Sequence, residues 1–155
     1  MFSFFGKKKI SEEAFANYFV TCSLQAAEES FPELAELINF DPAFVNSPNL
    51  KAQDFNPFLL IVIAGNLQLL PNEFNALTLA KIRQLVIAKF ARIFEVEPER
   101  FQKVISDLQQ EMLRLNHPSK NVISAMARAI SARYKLNQFQ ETYFRNMDTP
   151  NPLFL

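Results

Sequence analysis

The stretch PNEFNALTLAKIRQLVIAKFARIFEV, residues 71–96, decides the fold, because its apolar side chains cover more of a helix than one neighbour can bury. At about 100° per residue, the apolar positions from Phe74 to Phe94 spread over roughly half of the helix circumference. A helix of this kind lies inside a domain, since a surface helix shows only one narrow apolar stripe. The sequence therefore predicts a central helix over 71–96.

The segment before it, residues 58–70, is apolar nearly all round. It is too short for a transmembrane span, which takes about 20 residues. We therefore expect a buried helix with neighbours on most sides. Together the two helices predict a buried central hairpin over about 58–96.

Towards the N-terminus, the sequence predicts two helices and a loop. Ser11 is a good N-cap and is followed by two glutamates, so a helix should run from it to about Glu29. Pro32 suits the first turn of a second, short helix that stops near residue 41. Residues 41–57 are rich in proline and asparagine, which predicts a long loop.

A loop of that length is either functional or strapped across the core by its apolar side chains, here Phe44, Leu50 and Phe55. Towards the C-terminus, residues 99–115 form a clean amphipathic helix pattern. A single long last helix is then expected over about 120–147, with Ser119 as its cap. The tail, 148–155, contains two prolines and should not be helical.

These patterns predict an all-α protein, with one compact domain over 1–155 and five or six helices. The chain has 17 Phe, no Trp and only two Gly. So few glycines argue against a hairpin-rich β fold and against a glycine-rich phosphate loop.

The inventory of reactive side chains argues against catalysis. One cysteine and one histidine cannot form a disulfide or a metal cluster of Cys and His. Cys22 lies on an apolar helix face and is expected to be a buried structural thiol, and His117 lies in a polar turn that faces solvent. We therefore predict no catalytic residue, no metal and no cofactor, in a protein of the reducing cytoplasm.

The charges balance overall but are unevenly spread. The 16 basic and 16 acidic residues give a formal net charge of zero, which argues against a nucleic-acid partner. Residues 10–60 nevertheless hold one lysine against eight acids, and residues 61–155 hold twelve basic residues against eight acids. The second part could carry a basic face or only ordinary solvated charge.

Four polar side chains interrupt apolar helix faces: Arg83, Arg133, Asn137 and Gln140. A guanidinium in a dry core costs several kcal/mol unless it is paired and fully hydrogen-bonded. One interpretation is that each arginine reaches the surface along its aliphatic stem. The alternative is a small anionic-ligand or enzymatic pocket around Arg83 and Arg133, in which an acid such as Glu111 pairs with them.

Our leading functional hypothesis from the sequence is a non-enzymatic helical interaction module that forms a homodimer. The predicted last helix has an apolar arc that looks too wide for packing within one chain, and small residues at helical spacing let a second helix approach closely. The candidate interface residues are Ala125, Ala129, Ala132, Tyr134, Leu136 and Phe144.

The N-terminus combines apolar anchors with a basic run: Phe2, Phe4 and Phe5 are followed by Lys7, Lys8 and Lys9. Such a cluster can hold a protein at an anionic membrane surface without a transmembrane span. The alternative is that one or two of the rings pack against the core, so that residues 1–10 are either flexible or locally packed.

Overall fold

The computed structural model describes residues 10–70 and 74–148, which form six α-helices and no β-strand. The predicted all-α class is confirmed. The helices are α1 (Glu12–Phe40), α2 (Phe55–Leu69), α3 (Ala76–Ile93), α4 (Pro98–Asn116), α5 (Val122–Arg133) and α6 (Thr142–Met147). Two 3₁₀-helices, Ala52–Asp54 and Leu136–Phe139, precede α2 and follow α5.

Short polar side chains begin three of the helices. The Ser11 hydroxyl accepts a hydrogen bond from the backbone N–H of Ala14 at 3.1 Å, as its position predicted. Asn75 caps α3 in the same manner, which places the start of the predicted central helix after residue 75. Asn121, and not the predicted Ser119, caps α5.

The prediction of a helix break at Pro32 was wrong, because the 29-residue helix α1 runs through it to Phe40. The buried positions on both sides of the proline fall on one stripe, and the proline ring itself is exposed. Phe31 packs against the rings of Phe55, Phe58 and Tyr134. Burial of this continuous stripe outweighs the one backbone hydrogen bond that a proline removes.

The core is organised around α2, which is buried on most sides, as its apolar composition predicted. Helices α1 and α4 each pack against both α2 and α3, and α5 packs against α2 and α4. The helix predicted to be central, α3, buries one face and leaves Leu77, Ala80 and Ile93 exposed. The most buried element is therefore the helix next to it in sequence.

The predicted single last helix over 120–147 was also wrong, because α5 ends at Arg133. Lys135 adopts the left-handed conformation with φ 53°, and the chain then turns into the second 3₁₀-helix. This break lets Leu136 enter a second, smaller core cluster with Ile38 and Phe44. Burial of Leu136 replaces the helical hydrogen bonds that a straight continuation would have made.

The predicted strap across the core is confirmed for Phe44, which is buried, and for Leu50 and Phe55, which are partly buried. Asn39 fixes the strap to α1, since its side chain donates to the Leu50 carbonyl at 2.9 Å and accepts from the Leu50 N–H at 2.7 Å. Backbone pairing of Val45 with Phe139 ties the strap to the second 3₁₀-helix.

Among the described residues, no helix combines the length and apolarity needed to cross a bilayer. The predictions for the N-terminal Phe/Lys cluster and for the non-helical tail beyond residue 148 lie outside the described residues.

Candidate functional site

A cavity of about 600 Å³ lies where α5, the second 3₁₀-helix and α6 meet α4. Basic and amide side chains dominate its lining. It is lined by Leu115, Arg128, Ser131, Ala132, Lys135, Asn137, Gln138, Gln140, Arg145 and Asp148. Such a volume is within the range of small-molecule sites, roughly 300–1,000 Å³.

One face of α5 supplies the first wall of this basic cavity. Ser131 and Ala132 lie three and four residues after Arg128, so the three project from the same side of α5, and Lys135 follows just beyond the helix end. Lys135 lies just past the helix C-terminus, where the backbone carbonyls favour positive charge. This interaction leaves the charge of Lys135 available to an anion in the cavity.

The second 3₁₀-helix and α6 supply the opposite wall, because the turn at Lys135 directs the chain back towards α5. The Asn137 side chain donates to the Arg145 carbonyl at 3.1 Å and accepts from the Gln140 amide at 2.9 Å. Gln140 is buried, and it forms an isolated bridge with Phe44. These bonds hold α6 in place, so that Arg145 and Asp148 face the wall formed by α5.

The described residues give the cavity an excess of positive charge, since those that line it include three cations and one carboxylate. Within the described part of the chain, none of the four forms an ion pair with another residue. Arg128 is half-buried, and Arg145 donates a long bond of 3.3 Å to the Thr142 hydroxyl. A partly desolvated guanidinium without a carboxylate partner is a favourable position for an anion.

The two arginines singled out in the sequence do not line this cavity. Arg83 is half-buried, and its guanidinium donates to the Leu67 carbonyl at 3.1 Å. Leu67 lies in the last turn of α2, where the backbone carbonyls receive no hydrogen bond from a helical N–H. Arg83 therefore caps the C-terminus of α2 with a positive charge.

Arg133 forms an ion pair with Glu111, which joins the end of α5 to α4. Glu111 is the acid that the sequence suggested for such a pair. The pair is partly exposed, with 44% and 25% of the two side chains accessible. Arg83 and Arg133 thus have separate partners, one a backbone carbonyl and one a carboxylate, which is a structural use of both.

The predicted interface residues contribute largely to packing within the chain. Ala125, Ala129 and Leu136 are buried, and Ala132 is exposed at the basic cavity. Phe144 is half-buried against Tyr143. Much of the apolar arc that suggested a homodimer is covered by α2, α4 and the strap, while Ala132 and Met147 are exposed.

Tyr134 closes the corner between α5 and α2. Its hydroxyl donates to the Asp54 carbonyl and accepts from the Phe58 N–H at 3.1 Å. Burial raises the pKa of Tyr134 to about 12, and the hydrogen bond from the Phe58 N–H acts in the opposite direction. The neutral hydroxyl is therefore part of the structure and not a general base.

The expectations for His117 and Cys22 can also be compared with the structure. His117 is exposed. Cys22 is half-buried, not fully buried as expected, and its hydrogen bond with Tyr18 raises the pKa of that tyrosine. Among the described residues, no group of His, Cys, Asp and Glu is arranged to hold a metal ion.

Comparison with models of known protein families, with curated proteins and with solved structures finds no match for this chain.

The sequence identified Asn137 and Gln140 but missed the cations around them. On the single last helix that the sequence predicted, Arg145 would lie about 15 Å beyond Lys135 along the axis and further still from Arg128. Only the turn at Lys135 brings the three charges together. The available signal was the i, i+7 spacing of Arg128 and Lys135, which is also common on exposed helix faces.

Proposed function

We propose that the protein binds a small anionic molecule, with phosphate or carboxylate groups, in the basic cavity at the end of α5. The observation that supports this most directly is the set of three cations around one cavity without carboxylate partners from the described chain. Arginine suits this role because its planar guanidinium gives two parallel hydrogen bonds to a phosphate or carboxylate.

The size and lining of the cavity define the ligand further. At about 600 Å³ the space exceeds what a free inorganic anion would fill, so the anionic group would belong to a larger organic molecule. The side-chain amide of Gln138 and the hydroxyl of Ser131 offer neutral hydrogen bonds beside the charges. Asp148 adds one acceptor, which suits a ligand hydroxyl or amine.

Binding is supported better than turnover. Among the described residues, the lining contains no histidine or cysteine, and Asp148 has no second acid beside it. General acid–base catalysis commonly uses such groups, whereas cations and amides serve recognition. The side chains that line this cavity are thus those of a binding site.

The experiment is a thermal-shift series with inorganic phosphate, citrate and a nucleoside monophosphate, each compared with chloride at equal ionic strength. A ligand that binds only the native state must raise its stability. The organic anions should raise the melting temperature more than phosphate does, because they can also use the neutral part of the lining.

The matched variants are Arg128→Gln and Arg145→Gln, with Arg100→Gln as the control at an exposed site on α4. Loss of one charged hydrogen bond costs about 1.5–3 kcal/mol, which raises Kd roughly tenfold to a hundredfold. Equal behaviour of all three variants in isothermal titration would contradict the proposal, as would the absence of any shift beyond that of chloride.

A further inference from the structure

The outer face of α1 near its C-terminus carries a second surface feature, an acidic groove with exposed apolar side chains. Leu37 is 69% exposed and Phe40 is 81% exposed. They lie one helical turn apart, so they form a continuous apolar strip. The groove is lined by Glu33, Glu36, Leu37, Phe40, Asp41 and Pro42.

The negative charge of this acidic groove is not balanced by the described residues. Helix α1 contains six glutamates and no lysine or arginine. Glu33, Glu36 and Asp41 form no ion pair within residues 10–70 and 74–148. Acids near a helix C-terminus are also disfavoured by the helix dipole, so a cationic partner would relieve an unfavourable potential.

The chain itself contains a segment with the complementary chemistry. Phe2, Phe4 and Phe5 match the apolar strip, and Lys7, Lys8 and Lys9 match the three acids. Aromatic anchors surrounded by charges of opposite sign are typical of protein interfaces.

The segment cannot reach the groove of its own molecule. Leu37 lies about 39 Å along α1 from Ser11, at 1.5 Å per residue. Nine extended residues from Ser11 back to Phe2 span at most about 32 Å. We therefore propose that residues 2–9 bind in the acidic groove of a second copy of the chain.

A reciprocal exchange would close a twofold dimer, because each copy offers one segment and one groove. Six phenylalanine rings at roughly 150–250 Å² each bring about 900–1,500 Å² into the contact from the segments alone. A standard stable interface buries about 1,200–2,000 Å² in total, so the exchange is of the required size.

The test uses two charge-reversed variants of the full chain. In the acidic-segment variant Lys7, Lys8 and Lys9 are changed to Glu, and in the basic-groove variant Glu33 and Glu36 are changed to Lys. By sedimentation velocity the unaltered chain should be a dimer that weakens as salt screens the charges. Each variant alone should be monomeric, with Kd raised at least about tenfold.

An equal mixture of the two variants should form a heterodimer, because acidic segments then meet basic grooves and basic segments meet acidic grooves. Docking within one molecule would not give this result. Phe40→Ser should also yield monomers, whereas Leu77→Ser, at a side chain that is 83% exposed on α3, should leave the dimer intact. The helical content measured by circular dichroism should be equal for all variants, since the substituted groove residues are exposed.

Three results would overturn the proposal: a monomeric unaltered chain, a mixture that stays monomeric, or equal loss of the dimer in a Glu95→Lys, Glu97→Lys control. Binding to vesicles of anionic lipid is measured in a further experiment. If the segment binds vesicles while the unaltered chain sediments as a monomer, the segment serves a membrane surface and not a second copy.

Discussion

Arg83 lies within an apolar arc of α3, and its guanidinium ends at the Leu67 carbonyl in the last turn of α2. Replacing it by Gln should lower the free energy of unfolding by about 1–2 kcal/mol, because a carbonyl near a helix end loses a charged donor. Urea denaturation measures this difference. The control is Arg92→Gln, at an exposed position of the same helix, which should change stability by no more than about 0.5 kcal/mol. Equal effects would show that Arg83 does not stabilise the end of α2.

Tyr134 joins the end of α5 to the start of α2. Its one hydroxyl donates to the Asp54 carbonyl and accepts from the Phe58 N–H. Tyr134→Phe leaves the ring in place and removes both hydrogen bonds. The free energy of unfolding should fall by about 1–3 kcal/mol, the usual cost of leaving partly buried polar groups unsatisfied. Tyr143→Phe, at an exposed ring, is the control and should be neutral.

The pKa of Tyr134 also predicts a pH dependence. Its pKa is raised to about 12 in the folded chain, while an unfolded tyrosine titrates near 10. The unfolded chain therefore releases this proton first, so stability should be unaffected below about pH 10 and fall between about pH 10 and 12. Tyr134→Phe should make that fall less steep than in the unaltered protein. Parallel stability curves for the two proteins in this range would contradict the assignment.

At the scale of elements, Gly65 sets the approach of α2 to α5. A Cβ atom added to it would lie 2.9 Å from Met126 Cγ and closer still to the sulfur. Gly65→Ala should destabilise the protein by about 1–3 kcal/mol through overpacking, although alanine favours a helix. In a Met126→Ala background the same change should be neutral or stabilising. Thermal melts of this double-mutant cycle measure the coupling; additive effects would exclude the steric explanation.

The turn after α5 depends on Lys135, which adopts the left-handed conformation at φ 53°. Lys135→Gly should raise the free energy of unfolding by about 1 kcal/mol, because glycine adopts this conformation without strain. Lys135→Ala is the matched comparison, since it removes the same charge and keeps the strain. Both should weaken anion binding in the basic cavity to a similar extent. A glycine variant less stable than the alanine variant would refute this account of the turn.

Local sequence rules predicted the elements where a single interaction decides them. The cap at Ser11, the amphipathic pattern of α4 and the all-round apolar composition of α2 each led to the right structure. They failed at Pro32 and Lys135, where contacts from distant parts of the chain override the local preference. The basic cavity could not be predicted for the same reason, because it depends on the turn at Lys135.

At the scale of the whole molecule, protection against hydrogen exchange should be graded from α2 to α6. Helix α2 is buried on most sides, whereas α6 has no buried residue. Amides of α2 should therefore exchange only through global unfolding, and those of α6 through local opening. Peptide-level exchange monitored by mass spectrometry measures both. Saturation with a bound anion should slow exchange in α6, since Arg145 lines the basic cavity; equal protection of the two helices without ligand would contradict the prediction.

The hydroxyl of Tyr134 has consequences for the order of events during protein synthesis. It bonds to groups 76 and 80 residues earlier in the chain. A nascent chain leaves the ribosome N-terminus first, so α1, the strap and α2 emerge well before the side chain that joins them. Contacts of such sequence separation form late, because a long loop must close before they contribute. Until α4 and α5 emerge in their turn, the apolar surface of α2 has only α1 to cover it.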